Sequence, residues 1–464
     1  MTIWKPSLAG RPGPRYVAIA DALAQDIASG RLAIGDRLPT HRDLADQLGV
    51  TVGTISRAYA TAIERGLVTG EVGRGTFVRG AQPQPQPSAT RLEFRDPSDR
   101  SLIDLGLNFL RVPAHDHRIA ETLAALAREP GLASLFDEYK PQAGLRSHRE
   151  AGVDWVARSG MHTTPDQVLV CAGAQHAMTV AVLGLSRAGD TILTDDITYP
   201  TMITLARVLG RQLRGVAMDD QGLVPEALDA ACRAHHPRLL YCMPTVQNPT
   251  ARVMSIERRE RVAEVAARHR LAVIEDDIYG FLSATRYPAL ASFIPEHGHL
   301  VCACTKSVAP GLRVGFLAVP SGTAGRFLEP LWATTVMASP VMAEITARWI
   351  GDGTADVMAD ARRDEARVRQ QIARAILHDV AIAGDRGAFH LWIPLPGRTS
   401  SAGFVAAAQQ RGVAVIPGEA FAVGELRPAA VRVSLGPARD HEELSRGLHA
   451  IADLLRGSEA PGVV

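Results

Sequence analysis

Hydrophobic and polar positions divide the chain into three stretches with different periods. Over residues 15–79 the apolar positions recur at helical spacing, as in "YVAIADALAQDIASG", which Gly30 closes. "PTHRDLADQLG" opens on Thr40 with Asp43 three residues on, a capping-box pattern, and Gly49 ends it. "TVGTISRAYATAIERG" repeats that layout from Thr51 to Gly66. Two short helices joined by a tight turn predict a helix-turn-helix. "LVTGEVGRGTFVRG" then predicts two short strands around a glycine-rich tip, a wing. From residue 104 onward apolar runs without alternation are separated by amphipathic stretches such as "SIERRERVAEVAARHR". The runs "QVLVCA", "TILTDD", "RLLYCMP", "LAVIED", "LVCACT" and "VGFLAV" are therefore predicted to be strands of a buried, largely parallel α/β sheet.

Between these regions "AQPQPQPSATRLEFRDPSD" alternates Pro and Gln with no apolar period. It reads as a linker, and about 20 residues at roughly 3 Å each reach on the order of 60 Å. The expected domains are residues 1–80, a linker at 81–103 and residues 104–464. No tandem repeat of solenoid type is present.

Charge and composition add limits. Residues 1–80 carry a net +3 and the remainder −2, a mild sign of an anionic partner for the first region. The five cysteines are odd in number and lack CxxC or CxxH spacing. That argues against a disulfide framework and a zinc site, and for a reducing compartment. No apolar run approaches the roughly 18 residues needed to span a bilayer, and "MTIWKPSLAGRPGPRY" lacks the apolar core of a signal peptide. A cytoplasmic protein with no metal and no membrane contact is expected.

Lysine usage singles out one position. The chain has 47 arginines and three lysines, Lys5, Lys140 and Lys306. An ordinary surface cation here would be arginine, and only a lysine amine can deprotonate and attack a carbonyl. Other polar residues also follow strand ends, where open α/β sheets bind ligands. Gly173-Ala174-Gln175 opens a helix suited to phosphate, and Tyr199 offers an aromatic face. Asn248 supplies an amide, Asp276 a carboxylate with Tyr279 three residues on, and Thr305-Lys306 is followed by Arg313. Pyridoxal phosphate calls for that combination: a lysine, a carboxylate for the ring nitrogen, donors, an aromatic ring and a phosphate cradle.

Residues 104–464 resemble a fold-type I aminotransferase, a large mainly parallel α/β domain with a smaller α+β domain. Residues 1–80 resemble a GntR-type winged helix, and the combination is similar to the MocR subfamily of bacterial regulators. The resemblance implies a Schiff base at Lys306, Asp276 on the pyridinium, Asn248 and Tyr279 on the ring hydroxyl, and Tyr199 stacked on the ring. It puts Ala174, Gln175 and Arg313 on the phosphate, with Tyr139 of "YKPQAGLRSHRE" reaching the neighbouring subunit of a homodimer. Arg432 of "AVRVSLG" would take a substrate carboxylate, and side-chain specificity would lie in loops around 106–115 and 280–290. Two positions depart from the family: Ala303 replaces the usual Ser or Thr, a loss Thr305 offsets in part, and "NPTA" replaces Asn-Pro-Thr-Gly.

In the first region the resemblance places Arg42 on DNA phosphates, Thr51 and Thr54 at the start of the recognition helix, and Gly73, Arg74 and Gly75 at the wing tip. Val52 and Ser56 stand where relatives often carry arginines, which leaves fewer bidentate guanine contacts. The implied function is a regulator that binds operator DNA and senses an amino compound. The alternative is a working aminotransferase with an accessory DNA-binding domain, and a third is a sensor of pyridoxal phosphate itself.

Overall fold

A computed structural model of the chain describes residues 4–6, 14–28, 31–32, 35–64, 67–71, 75–78, 101–112, 116–397 and 399–457. Two compact units are present, Met1–Ala89 and Thr90–Val464.

In the first unit, helices Arg15–Ala28, His41–Leu48 and Val52–Glu64 precede the antiparallel strands Val68–Glu71 and Gly75–Val78. Thr40 caps its helix by accepting from the Asp43 amide, and Gly49 ends it in the left-handed region at φ 61°. The reciprocal half of the capping box, from the Asp43 side chain, does not form; a carboxylate one methylene shorter than glutamate reaches back less readily. Ile19, Leu23, Leu44, Ile55, Tyr59 and Val68 fill the core, and Trp4 packs on it with its indole N–H donating to Asp26. Gly30, Gly66, Gly73, Arg74 and linker residues 81–100 lie outside the described residues.

The second unit is built on a seven-stranded sheet. Its order is Val168–Cys171, Gly315–Ala318, Gly298–Ala303, Ala272–Asp276, Leu239–Cys242, Thr191–Asp195, Gln212–Val216. Gly315–Ala318 runs antiparallel to both neighbours and every other pairing is parallel. The central strands are buried on both faces, as their unbroken apolar runs require. A smaller antiparallel layer pairs His390–Pro394, Ala430–Ser434 and Ile416–Pro417, and helices Ser401–Gln410 and His441–Gly457 pack on its core. Ile103–Asp104 forms a strand paired with Val413–Ala414, so Ile103 belongs to this fold and not to the linker. A two-residue strand carries too short a pattern to be separated from a linker by sequence.

One buried ion pair braces the carboxyl edge of the sheet. Arg259 and Glu275 are both fully buried, with Arg259 Nη1 3.5 Å from the carboxylate. Arg259 also donates to the Met254, Pro244 and Pro288 carbonyls and to Thr245 Oγ1. Burial raises the Glu275 pKa, and Arg259 opposes that rise. Arg259→Met should strand this carboxylate and cost about 3–5 kcal/mol. With the arginine gone, the folded-state pKa rises further above the unfolded value, so the loss should grow as pH increases through that interval. Urea unfolding at pH 5 and pH 8 checks this, with the larger deficit expected at pH 8.

Candidate functional site

The polar residues predicted at strand ends meet at one edge of the sheet. Asp276 ends its strand, fully buried, with Oδ2 accepting from Tyr241 OH at 2.8 Å. Its Oδ1 has no partner among the described residues. Burial pushes its pKa up to about 7, against the Tyr241 hydrogen bond and the charge of Lys306. Lys306 lies on the short helix Cys304–Ser307, directly after the neighbouring strand. Burial and the positive charges of Arg432 and Arg313 bring its amine down to about 8, with Asp276 acting the other way. Its Nζ donates to the Asn108 carbonyl. A lysine so placed is a neutral nucleophile for an appreciable fraction of the time near pH 7.

Around this pair the donors are oriented by residues the sequence did not single out. Asn108 Nδ2 donates to Tyr279 OH at 2.8 Å and to His390 Nδ1 at 3.1 Å. His390 Nε2 faces the Gln247 carbonyl at 3.1 Å, so Nε2 carries the hydrogen and Nδ1 accepts. Burial and Arg432 hold the imidazole neutral, with a pKa of about 3. Because Tyr279 OH accepts from Asn108, its own hydrogen is left for an acceptor in the site. Arg432 is buried on the middle strand of the smaller sheet. It donates from Nη1 to Asn248 Oδ1 at 3.0 Å and from Nη2 to the Gly106 carbonyl, while Nε has no partner. Asn248 is thereby fixed with its Nδ2 free to donate elsewhere.

A second cluster lies at the start of helix Ala174–Leu185. Gly173 adopts φ 89°, and a Cβ there would come within 3.0 Å of the Arg313 guanidinium. Gly315 passes so close that a Cβ would meet Gly173 C at 2.7 Å and Ala174 N at 2.9 Å. Arg313 is exposed and, among the described residues, held only by a 3.5 Å contact to the Ala172 carbonyl. Thr305 Oγ1 is buried without a partner. Ala174 is buried and Gln175 is exposed. Tyr199, half-buried, senses the charges of Asp276, Arg432 and Arg313. Tyr139 is 82% exposed.

In the first unit Arg42 is exposed. Thr51 and Thr54 share a hydroxyl–hydroxyl hydrogen bond of 2.9 Å, and the Thr54 amide donates to Thr51 Oγ1. Both hydroxyls thus sit at the positive end of helix Val52–Glu64.

Residues 100–451 match the family described as aminotransferase class I and II, and residues 15–78 match that of bacterial regulatory proteins, gntR family. Over 97% of its length the chain is 34% identical to the HTH-type transcriptional regulator YdeF of Bacillus subtilis, covering 96% of that protein. The chain belongs to the gntR-type transcriptional regulators that carry an aminotransferase domain. This is the MocR architecture that its sequence resembles. The regulator is also 25% identical to the vitamin B6 salvage pathway transcriptional repressor PtsJ of Salmonella typhimurium, over 91% of this chain and 95% of that one. Its fold matches the kynurenine aminotransferase of Pyrococcus horikoshii with a TM-score of 0.72 and 20% identity, covering 80% of this chain and 96% of that one.

The depressed Lys306 pKa can be measured directly. In protein stripped of small molecules, amine labelling at Lys306, followed by peptide mass mapping, should reach half its maximal rate near pH 8. A midpoint above pH 10, the ordinary range for lysine, would contradict the burial account.

Proposed function

We propose that this regulator holds pyridoxal phosphate at Lys306 and uses it to sense a small amino compound, changing its affinity for operator DNA. The observation that carries the reading is the buried Asp276 carboxylate with one unpartnered oxygen beside a lysine of lowered pKa. A buried carboxylate lacking a full set of donors needs a cationic N–H. A protonated pyridine nitrogen answers that need. The unpartnered Thr305 hydroxyl, the loosely held Arg313 and the close backbone at Gly173 suit a phosphate at a helix start. When bound, the cofactor supplies an aldehyde that captures amines reversibly and a ring that withdraws electrons.

The chain's own residues then have separable tasks. Asp276 keeps the ring nitrogen protonated, and Tyr241 orients that carboxylate. Tyr279 and Asn248 donate to the ring hydroxyl, and Tyr199 covers the ring face. Ala174, Gln175, Thr305 and Arg313 hold the phosphate. Lys306 would hold the cofactor through its amine, a group that can also take up or release a proton there. Arg432 receives a carboxylate on its vacant Nε, exchanging the Gly106 carbonyl for the ligand. That vacant donor favours an amino-carboxylate over the cofactor itself as the effector, although PtsJ is a repressor of vitamin B6 salvage. The exposed Tyr139 supports a homodimer in which it completes the partner's phosphate site. Arg42, Thr51 and Thr54 would contact DNA, with Gly73 and Arg74 at the wing. Cytoplasmic location follows from that role. Division into a head at 1–80, a linker and a sensor domain is part of the same reading.

A second reading is supported by the intact Lys306–Asp276 pair, which would also serve transamination. Titrations of amino acids into the full chain, with and without operator DNA, separate the two. Under the regulator reading, ligand affinity differs with DNA by about 5–150-fold, and DNA affinity changes with ligand by the same factor. The complex should hold two protomers per operator, and Arg432→Ala should remove the coupling. Equal ligand affinities with and without DNA, together with steady keto-acid production, would favour the enzyme.

A further inference from the structure

A buried cation remains that none of these roles uses. Arg362, on helix Thr354–Ile376, is only 9% exposed. Its one hydrogen bond among the described residues runs from Nη1 to the Met358 carbonyl of its own helix, at 3.3 Å. The nearby Glu365 is taken by Arg369 at 2.6 Å and His441 at 2.9 Å. No carboxylate among the described residues pairs with Arg362, and burial lowers its pKa to about 10 with no opposing charge.

Arg362 faces an open cavity of about 610 Å³, walled also by residues 109–112, Pro310 and residues 439–441. Four guanidinium groups line it. Arg369 is satisfied by Glu365 and by the Leu435 and Ala438 carbonyls, and Arg439 by Glu443. Asp440 spends Oδ1 on the Glu443 amide. Arg111, exposed over the Phe109 ring, donates among the described residues only to the Pro437 carbonyl. Arg111 and Arg362 therefore carry positive charge that no carboxylate of the described walls pairs with, although Asp440 on the same wall keeps its own negative charge.

We propose that this cavity binds a small oxyanion, a carboxylate- or phosphate-bearing compound, between Arg362 and Arg111. A buried guanidinium gains most from a counter-ion it can hydrogen-bond, and its planar fork matches two oxygens of such a group. The site is distinct from Arg432, whose guanidinium is engaged by Asn248 and Gly106. It shares a wall with the Lys306 site, since Asn108, whose carbonyl accepts from Lys306, precedes Phe109. Occupation of the cavity would thus bear on the segment that covers the lysine.

Calorimetric titration of the full chain, saturated with pyridoxal phosphate so that phosphate cannot enter the Thr305–Arg313 cradle, tests this. Sodium phosphate and sodium succinate serve as separate probes at constant ionic strength, with chloride as blank. Wild type should bind one or both saturably. Arg362→Gln and Arg111→Gln should each weaken that binding about ten-fold or more, and Arg432→Ala should leave one equivalent in place. Response to phosphate alone assigns a phosphate ligand, and response to succinate alone a carboxylate. Should Arg362→Gln fail to fold, Arg111→Gln, at an exposed position, carries the comparison. No saturable binding of either probe to wild type overturns the proposal, as does wild-type binding in the folded arginine variants.

Discussion

The site depends on two opposite charges held out of water at the same sheet edge. Asp276 and Lys306 end neighbouring parallel strands, and burial pushes each toward its neutral form. Their mutual attraction offsets that penalty only in part, because one carboxylate oxygen stays without a donor. Such a pair is poorly satisfied alone and well satisfied by a ligand that brings both an N–H cation and an electrophile. The neighbouring Arg259–Glu275 pair is better served: its guanidinium has five acceptors within reach, although Glu275 Oε1 makes no hydrogen bond among the described residues. One residue further along the strand Asp276 has no guanidinium beside it among the described residues, and its charge partner is the Lys306 amine.

Much of this was legible in the sequence because parallel α/β folds put their chemistry immediately after each strand. Asp276, Lys306, Arg313 and Tyr199 could be read from position alone, and in the structure both Lys306 and Tyr199 feel the charges of Asp276 and Arg313. Asn108, Tyr241 and His390 could not. Asn108 reaches Tyr279 across 171 residues and His390 across 282, and none of the three lies in a motif. A faint signal existed. Tyr241 and His390 are single polar groups in otherwise apolar strands, "LLYC" and "HLWIP", and a buried polar group must find a partner. That rule flags the residue without naming its partner, which only the tertiary fold supplies.

The caps and turns of the first unit were equally readable, since they rest on local backbone needs. Thr40, Gly49 and Thr51 act where their side chains or φ angles dictate. The pairing of Ile103 was not, because it is held by a strand more than 300 residues away. Arg362 was invisible for the same reason: among 47 arginines, a buried one without a paired carboxylate is identified by its surroundings and not by its spacing.

The account stands on Lys306 as the residue that carries the cofactor, and one measurement addresses that directly. The full chain is incubated with pyridoxal phosphate, reduced with borohydride, digested and mapped by mass spectrometry, alongside Lys306→Ala. With only three lysines in the chain, the assignment is unambiguous. The account predicts one pyridoxyl group per chain on the peptide containing Lys306, and none in the variant. A modification on Lys5 or Lys140, or an equal yield from Lys306→Ala, would contradict it.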